Sequence, residues 1–263
     1  NEDAPLVRTQ EHIEPYFEAV DAFYCVYKDN SNHEIYNIFS DIASQMLENK
    51  QGWNILYAVL SGLIQVIKTV NIGSTEGEGT YEMIKSRVEP YLKLIDDKSF
   101  HPIIRLTALD LLIALNAYGA QLYDGLLQFY IQPLLLFLKA DEITAIREKA
   151  ACALYSIIQS CISKIKDDYL MTIFNEILKE IPNGTEEMIK TLICAICIFF
   201  KKPSTNFETE LTNFTQIIKT LVDSIDNDKF TSFFLKVYAS TIESLTIPKK
   251  LVPYVVELMN YAF

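Results

Sequence analysis

Apolar residues recur along most of the chain at three- and four-residue spacing, the period of one face of an α-helix. From Ile146 onward, the apolar or small positions Ile146, Ala150, Ala153, Leu154, Ile157, Ile158 and Cys161 stand at offsets of 0, 4, 7, 8, 11, 12 and 15. These offsets trace one stripe on a helix of 3.6 residues per turn. Polar breakers such as Asp29-Asn30-Ser31-Asn32 and Pro182-Asn183-Gly184 interrupt the pattern and mark turns. Between the breakers the pattern predicts helices at Gln10–Lys28, His33–Glu48, Trp53–Val70, Thr80–Ile95, Pro102–Tyr118 and Leu122–Lys139. It continues with Ile143–Lys164, Asp167–Ile181, Thr185–Phe200, Glu208–Ile225 and Lys229–Leu245, and a last helix opens at Pro248. Residues 72–80 hold Gly73, Gly77 and Gly79 with no apolar side chain beyond Ile72, so a flexible loop is expected there.

Within this pattern one motif occurs twice. Pro90-Tyr91-Leu92, Asp96-Asp97, Ile104-Arg105, Ala108 and Leu112 come first; Pro133-Leu134-Leu135, Asp141-Glu142, Ile146-Arg147, Ala150, Ala153 and Leu154 follow. The two copies are about 42 residues apart, a period typical of two-helix solenoid repeats. Alanine on the apolar stripe lets a neighbouring helix approach closely. On these residues the chain resembles the HEAT-repeat family, with armadillo repeats as neighbours. The resemblance implies an all-α fold, a right-handed α-solenoid of about six HEAT-like helical hairpins, as one domain over residues 1–263. It also implies that the proline bends the first (A) helix of a repeat. A turn Asp and the second-helix (B) Arg would form a polar ladder between repeats, with Arg105 and Arg147 reaching turn carboxylates, Arg147 toward Asp96, Asp97 or Asp141. Counting hairpins outward leaves an unpaired helix at each end, so the chain is expected to be a segment of a longer protein or to have its ends covered by a partner.

Half the residues are apolar, enough for an extensive core, and the formal net charge is −11. That charge disfavours nucleic acid and anionic membrane surfaces, which need clustered Lys and Arg. It suits a protein partner with a basic or amphipathic segment. The five cysteines are odd in number and sit in apolar helical segments, which points to reduced buried thiols and a cytoplasmic, or nucleocytoplasmic, setting. No apolar run reaches transmembrane length.

Candidate chemistry is sparse. Cys194-Ala195-Ile196-Cys197 has a CxxC spacing without a second pair or a nearby His, and zinc wants about four ligands; core packing is the better reading. His12, His33 and His101 are far apart, and the acidic pairs Asp96-Asp97, Asp141-Glu142 and Asp167-Asp168 fall at helix junctions, where capping explains them. Lys190 lies near the position where a third ladder Arg would fall. No catalytic residue, cofactor site or metal site is expected. The residues expected to point outward from the two best-defined B helices are Asp110, Asn116, Glu148, Lys149, Tyr155 and Gln159, the candidate partner-binding set. The expected function is a non-catalytic scaffold that binds proteins in a concave acidic groove, within a larger complex. The alternative is a HEAT segment of a nuclear transport receptor, resembling the karyopherins, that binds basic cargo.

Overall fold

The computed structural model describes residues 38, 40–42, 44, 45, 47, 53–69, 88–116, 126–139, 143–202, 207–224, 228–244 and 256. All regular structure among these residues is helical, with no strand. The predicted helix at Gln10–Lys28, the loop at 72–80, Asp141 and the opening of the last helix at Pro248 lie outside the described residues. The chain divides into two compact units, Asn1–Leu134 and Leu135–Phe263.

In the first unit, α1 (Trp53–Thr69) packs along α2 (Pro102–Leu115). Their N-terminal ends meet where the Trp53 ring stacks on His101, with centroids 4.5 Å apart and planes 16° apart. His101 also caps α2: its Nδ1 accepts from the Ile103 backbone N–H at 3.3 Å, and Pro102 begins the helix where its missing N–H does no harm. Residues 88–92 are helical and tighten into the 3-10 turn η1 (Lys93–Ile95), which packs against α2. The fully buried Tyr91 satisfies its phenol by donating to the Ser40 carbonyl at 2.6 Å. From Ile103 to Asn116 every residue of α2 and its cap is buried or half-buried, the condition of a helix that is apolar on all sides. Further along, α3 (Gln128–Phe137) carries Pro133 in its interior and is preceded by a π-type turn at 126–127. Burial of the Tyr130 phenol, with smaller contributions from Glu89 and Asp96, pushes its pKa up to about 12.

The second unit contains α4 (Thr144–Cys161), α5 (Asp167–Glu180), the 3-10 turn η2 (Ile181–Asn183), α6 (Glu186–Lys201), α7 (Phe207–Ser224) and α8 (Asp228–Ser244). Its most extensive packing joins alternate helices: α6 lies beside α4 on one side and α8 on the other, while α5 and α7 pack on α6 from behind. The α5 stripe Leu170, Ile173, Phe174, Ile177 and Leu178 is buried, and Phe174 meets Phe199 and Phe200 edge-on at 5.5 and 5.7 Å. Such edge-to-face pairs each contribute about 0.5–1.5 kcal/mol beyond burial. Thr185 caps α6 by accepting from the Met188 N–H at 3.3 Å, and Glu186 and Glu187 stand in the first turn, where the helix dipole favours anions.

The two arginines of the repeated motif are both buried, at 3% and 8% exposure, and they do the same thing. Arg105 Nε donates to the Ile95 carbonyl at 2.9 Å, and Arg147 Nε to the Leu138 carbonyl at 3.0 Å. Each clamps the end of the preceding helix, whose last carbonyls have no intrahelical donor. Arg147 also donates from its Nη2 to the Asn183 carbonyl at 2.8 Å, in the turn of the next hairpin. Among the described residues the Arg147 guanidinium runs between two carbonyls rather than to Asp96 or Asp97, and it forms no ion pair; the third expected partner, Asp141, lies outside them.

Candidate interaction surface

Four helices begin at residues 102, 144, 186 and 228, so the 42-residue period holds through α2, α4, α6 and α8. Matching positions share their environment. Ile104, Ile146, Met188 and Phe230 are all fully buried, and so are Ala108, Ala150, Leu192 and Phe234. The same register puts Ile189 at the position of Arg147. Lys190 is therefore not a ladder residue; it bridges Glu186 and Glu187 at 2.7 and 3.1 Å and lies over the Phe230 ring at 5.6 Å.

The register also identifies an open face on the second unit. Along α4, the positions that are exposed or half-buried include Lys149, Cys152, Ser156 and Gln159; their counterparts on α6 are Thr191, Cys194, Ile198 and Lys201. On α8, Phe233, Lys236 and Ser240 continue the rows. Because α4 and α8 flank α6 and α5 and α7 lie behind it, this stripe is the side of the layer left open among the described residues. The helices are held in register at both ends. Thr185 Oγ1 donates to Glu148 Oε1 at 2.6 Å, and Lys202 Nζ donates to the Ile165 carbonyl at 3.3 Å and pairs with Asp167 at 2.6 Å.

The six sequence candidates separate under this geometry. Gln159 is exposed, and Lys149 and Tyr155 are half-buried; of these, Lys149 and Gln159 lie on the open stripe. Glu148 is held internally by Thr185. Asp110 occupies the position equivalent to Cys152 and Cys194, yet on α2 it is half-buried with its Oδ2 enclosed. Asn116 is 7% exposed and corresponds to the core residues Ile158 and Phe200; its Oδ1 and Nδ2 are buried without a hydrogen-bond partner among the described residues. Its expected outward placement is corrected: the 42-residue register puts it inside. Cys152, Thr191, Cys194, Ile198 and Lys201 are not among the sequence candidates, although their alternating three- and four-residue spacing, carried at the 42-residue period, is a legible signal.

Charge is divided between the two layers. On α5, Asp167, Asp168, Glu176 and Glu180 face one Lys179, net −3; on α7, Glu208, Glu210 and Asp223 face Lys219, net −2. By contrast α6 and α8 are each neutral and α4 is net +1. The open stripe itself carries Lys149, Lys201 and Lys236. Of the cysteines, Cys161 and Cys197 are buried and Cys194 is half-buried, whereas Cys152 is exposed, contrary to the expectation of burial. Burial pushes the Cys194 thiol pKa up, partly offset by Lys201. Among the described residues no group of three His, Cys, Asp or Glu could hold a metal ion, and no helix is long and apolar enough to cross a membrane. No family model matches the chain, and comparison with curated proteins and with solved structures returns no similar protein.

Proposed function

We propose that this chain is a HEAT-type helical-repeat scaffold that acts by binding a protein partner rather than by catalysis, and that its second unit engages the partner through the open face of α4, α6 and α8. The observation that carries this reading is the run of four helix starts spaced by 42 residues, with the last three of those helices side by side in the second unit. Stacked hairpins of this kind leave one helix layer free to contact extended or helical segments. Capture from native lysate tests it, comparing the parent chain with Ser156→Arg/Ile198→Arg on the open face and with Asp168→Lys/Glu176→Lys on α5. Loss of a partner only in the first variant supports the reading; loss only in the second sinks it. A second reading, a karyopherin-like segment binding basic cargo, is favoured by the acidic residues on α5 and α7. It predicts salt-sensitive capture of a basic protein that the α5 variant abolishes.

A further inference from the structure

We infer that the open face of α4, α6 and α8 receives an acidic, amphipathic segment of the partner protein, a preference opposite in sign to the chain's own net charge. The inference rests on the scaffold reading above and specifies the chemistry of what binds. Its basis is how the face is built. The centre holds Cys194, Ile198 and Phe233, all half-buried and weakly polar or apolar. Around them stand Lys149, Lys201, Lys229 and Lys236, with Glu187 as an acidic counterpart and Glu243 at the position of α8 equivalent to Lys201. Lys201 and Lys236 are exposed and form no ion pair among the described residues. An apolar centre within a charged rim is the usual anatomy of a protein interface, and here the rim is cationic.

Two more lysines lie at one end of the layer, beside Asp167, which pairs with Lys202. Lys164 and Lys166 follow the end of α4 and are exposed and unpaired among the described residues. The Lys202–Ile165 hydrogen bond brings the ends of α4 and α6 together, which sets Lys164 close in level to Lys201. Dipole complementation at a helix end accounts for lysines in a last turn, but it does not account for Lys236, which lies within α8. On α5 and α7, behind the layer, acids exceed lysines by three and by two. A segment approaching the open face therefore meets ammonium groups around an apolar strip. Carboxylates flanking an apolar stripe are its complement, whereas a lysine-rich segment would set like charges against one another.

The test uses the full chain and three synthetic helical peptides, each about 20 residues long so that a helix can form. They share one apolar stripe, and their remaining faces are Glu-rich, Lys-rich or Ser/Gln-rich. Binding is read by fluorescence anisotropy at two salt concentrations, and iodoacetamide labelling of Cys152 and Cys194 reports the site. The Glu-rich peptide is expected to bind at least about tenfold more tightly than the other two, to weaken with salt, and to protect both thiols. Lys201→Glu/Lys236→Glu should lower its affinity by about tenfold or more, while circular dichroism stays unchanged. Equal or tighter binding of the Lys-rich or neutral peptide overturns the inference, as does indifference to the double reversal or failure of all three peptides to bind. If lysate capture remains sensitive to Ser156→Arg/Ile198→Arg but not to Lys201→Glu/Lys236→Glu, the acidic inference falls and the scaffold reading stands.

Discussion

Removing the Arg147 guanidinium tests whether the 42-residue repeat is held together by arginine-to-carbonyl clamps. Arg147→Ala deletes two charge-assisted bonds, to Leu138 at 3.0 Å and to Asn183 at 2.8 Å. Hydrogen bonds to a charged group contribute about 1.5–3 kcal/mol each, and the abandoned carbonyls lose a buried donor. Part of that gain is offset because desolvating a guanidinium without a carboxylate is itself unfavourable. The net loss should be about 3 kcal/mol, or roughly 6–12 °C in Tm for a chain of this size. The assay is urea unfolding followed by circular dichroism, where the midpoint should fall while the slope holds. Arg147→Lys should recover less than half of the loss. A single ammonium cannot reproduce the planar fork that reaches one carbonyl from Nε and another from Nη2. A loss below about 0.5 kcal/mol in Arg147→Ala, the range of ordinary surface changes, would refute the clamp.

Three other outcomes follow from the same geometry. At pH 8 in the native state iodoacetamide should modify Cys152 first and Cys194 slowly, leaving Cys161 and Cys197 until unfolding; because the Cys194 pKa is raised, its lag should shrink as pH rises, and peptide mapping reads the order. Thr185→Ala removes both the α6 cap and the bond to Glu148, and should cost about 1–2 kcal/mol in urea unfolding. Added to Thr185→Ala, Glu148→Ala should cost less than it does alone, a non-additivity that a double-mutant cycle measures. Tyr130 ionises at about 12 when folded against 10.0 for a free phenol, so the folded state holds the proton longer. Stability should therefore fall as pH climbs from 10 toward 12, and Tyr130→Phe should flatten that slope.

The sequence by itself determined the helices and the register that relates them. Helical period is local: whether Ile146, Ala150 and Leu154 share a stripe depends only on 3.6 residues per turn, and the predicted starts at Pro102 and Asp167 coincide with the observed ones. The breaker Pro182-Asn183-Gly184 was equally legible and forms η2 and its turn. A Cβ at Gly184 would lie 3.1 Å from Ile189 Cγ1, close enough that the isoleucine would have to give by a few tenths of an ångström. Only the tertiary structure decided which polar positions remain free. Asp110 and Cys152 occupy the same place in the repeat, but α2 is covered where α4 is open. What lies opposite a helix's core face is set by chain far away in sequence, so no local pattern separates them. Asn116 follows the same logic from the other side, a polar residue at a position filled by Ile158 and Phe200 elsewhere. The destination of Arg147 was likewise hidden, because a guanidinium can satisfy its donors on carbonyls as well as carboxylates, and backbone acceptors leave no mark in a sequence. The net charge of −11 was a sum over the whole chain. Its division, with acids on α5 and α7 and lysines across the open face, depends on which side of the layer each helix occupies, and packing alone decides that.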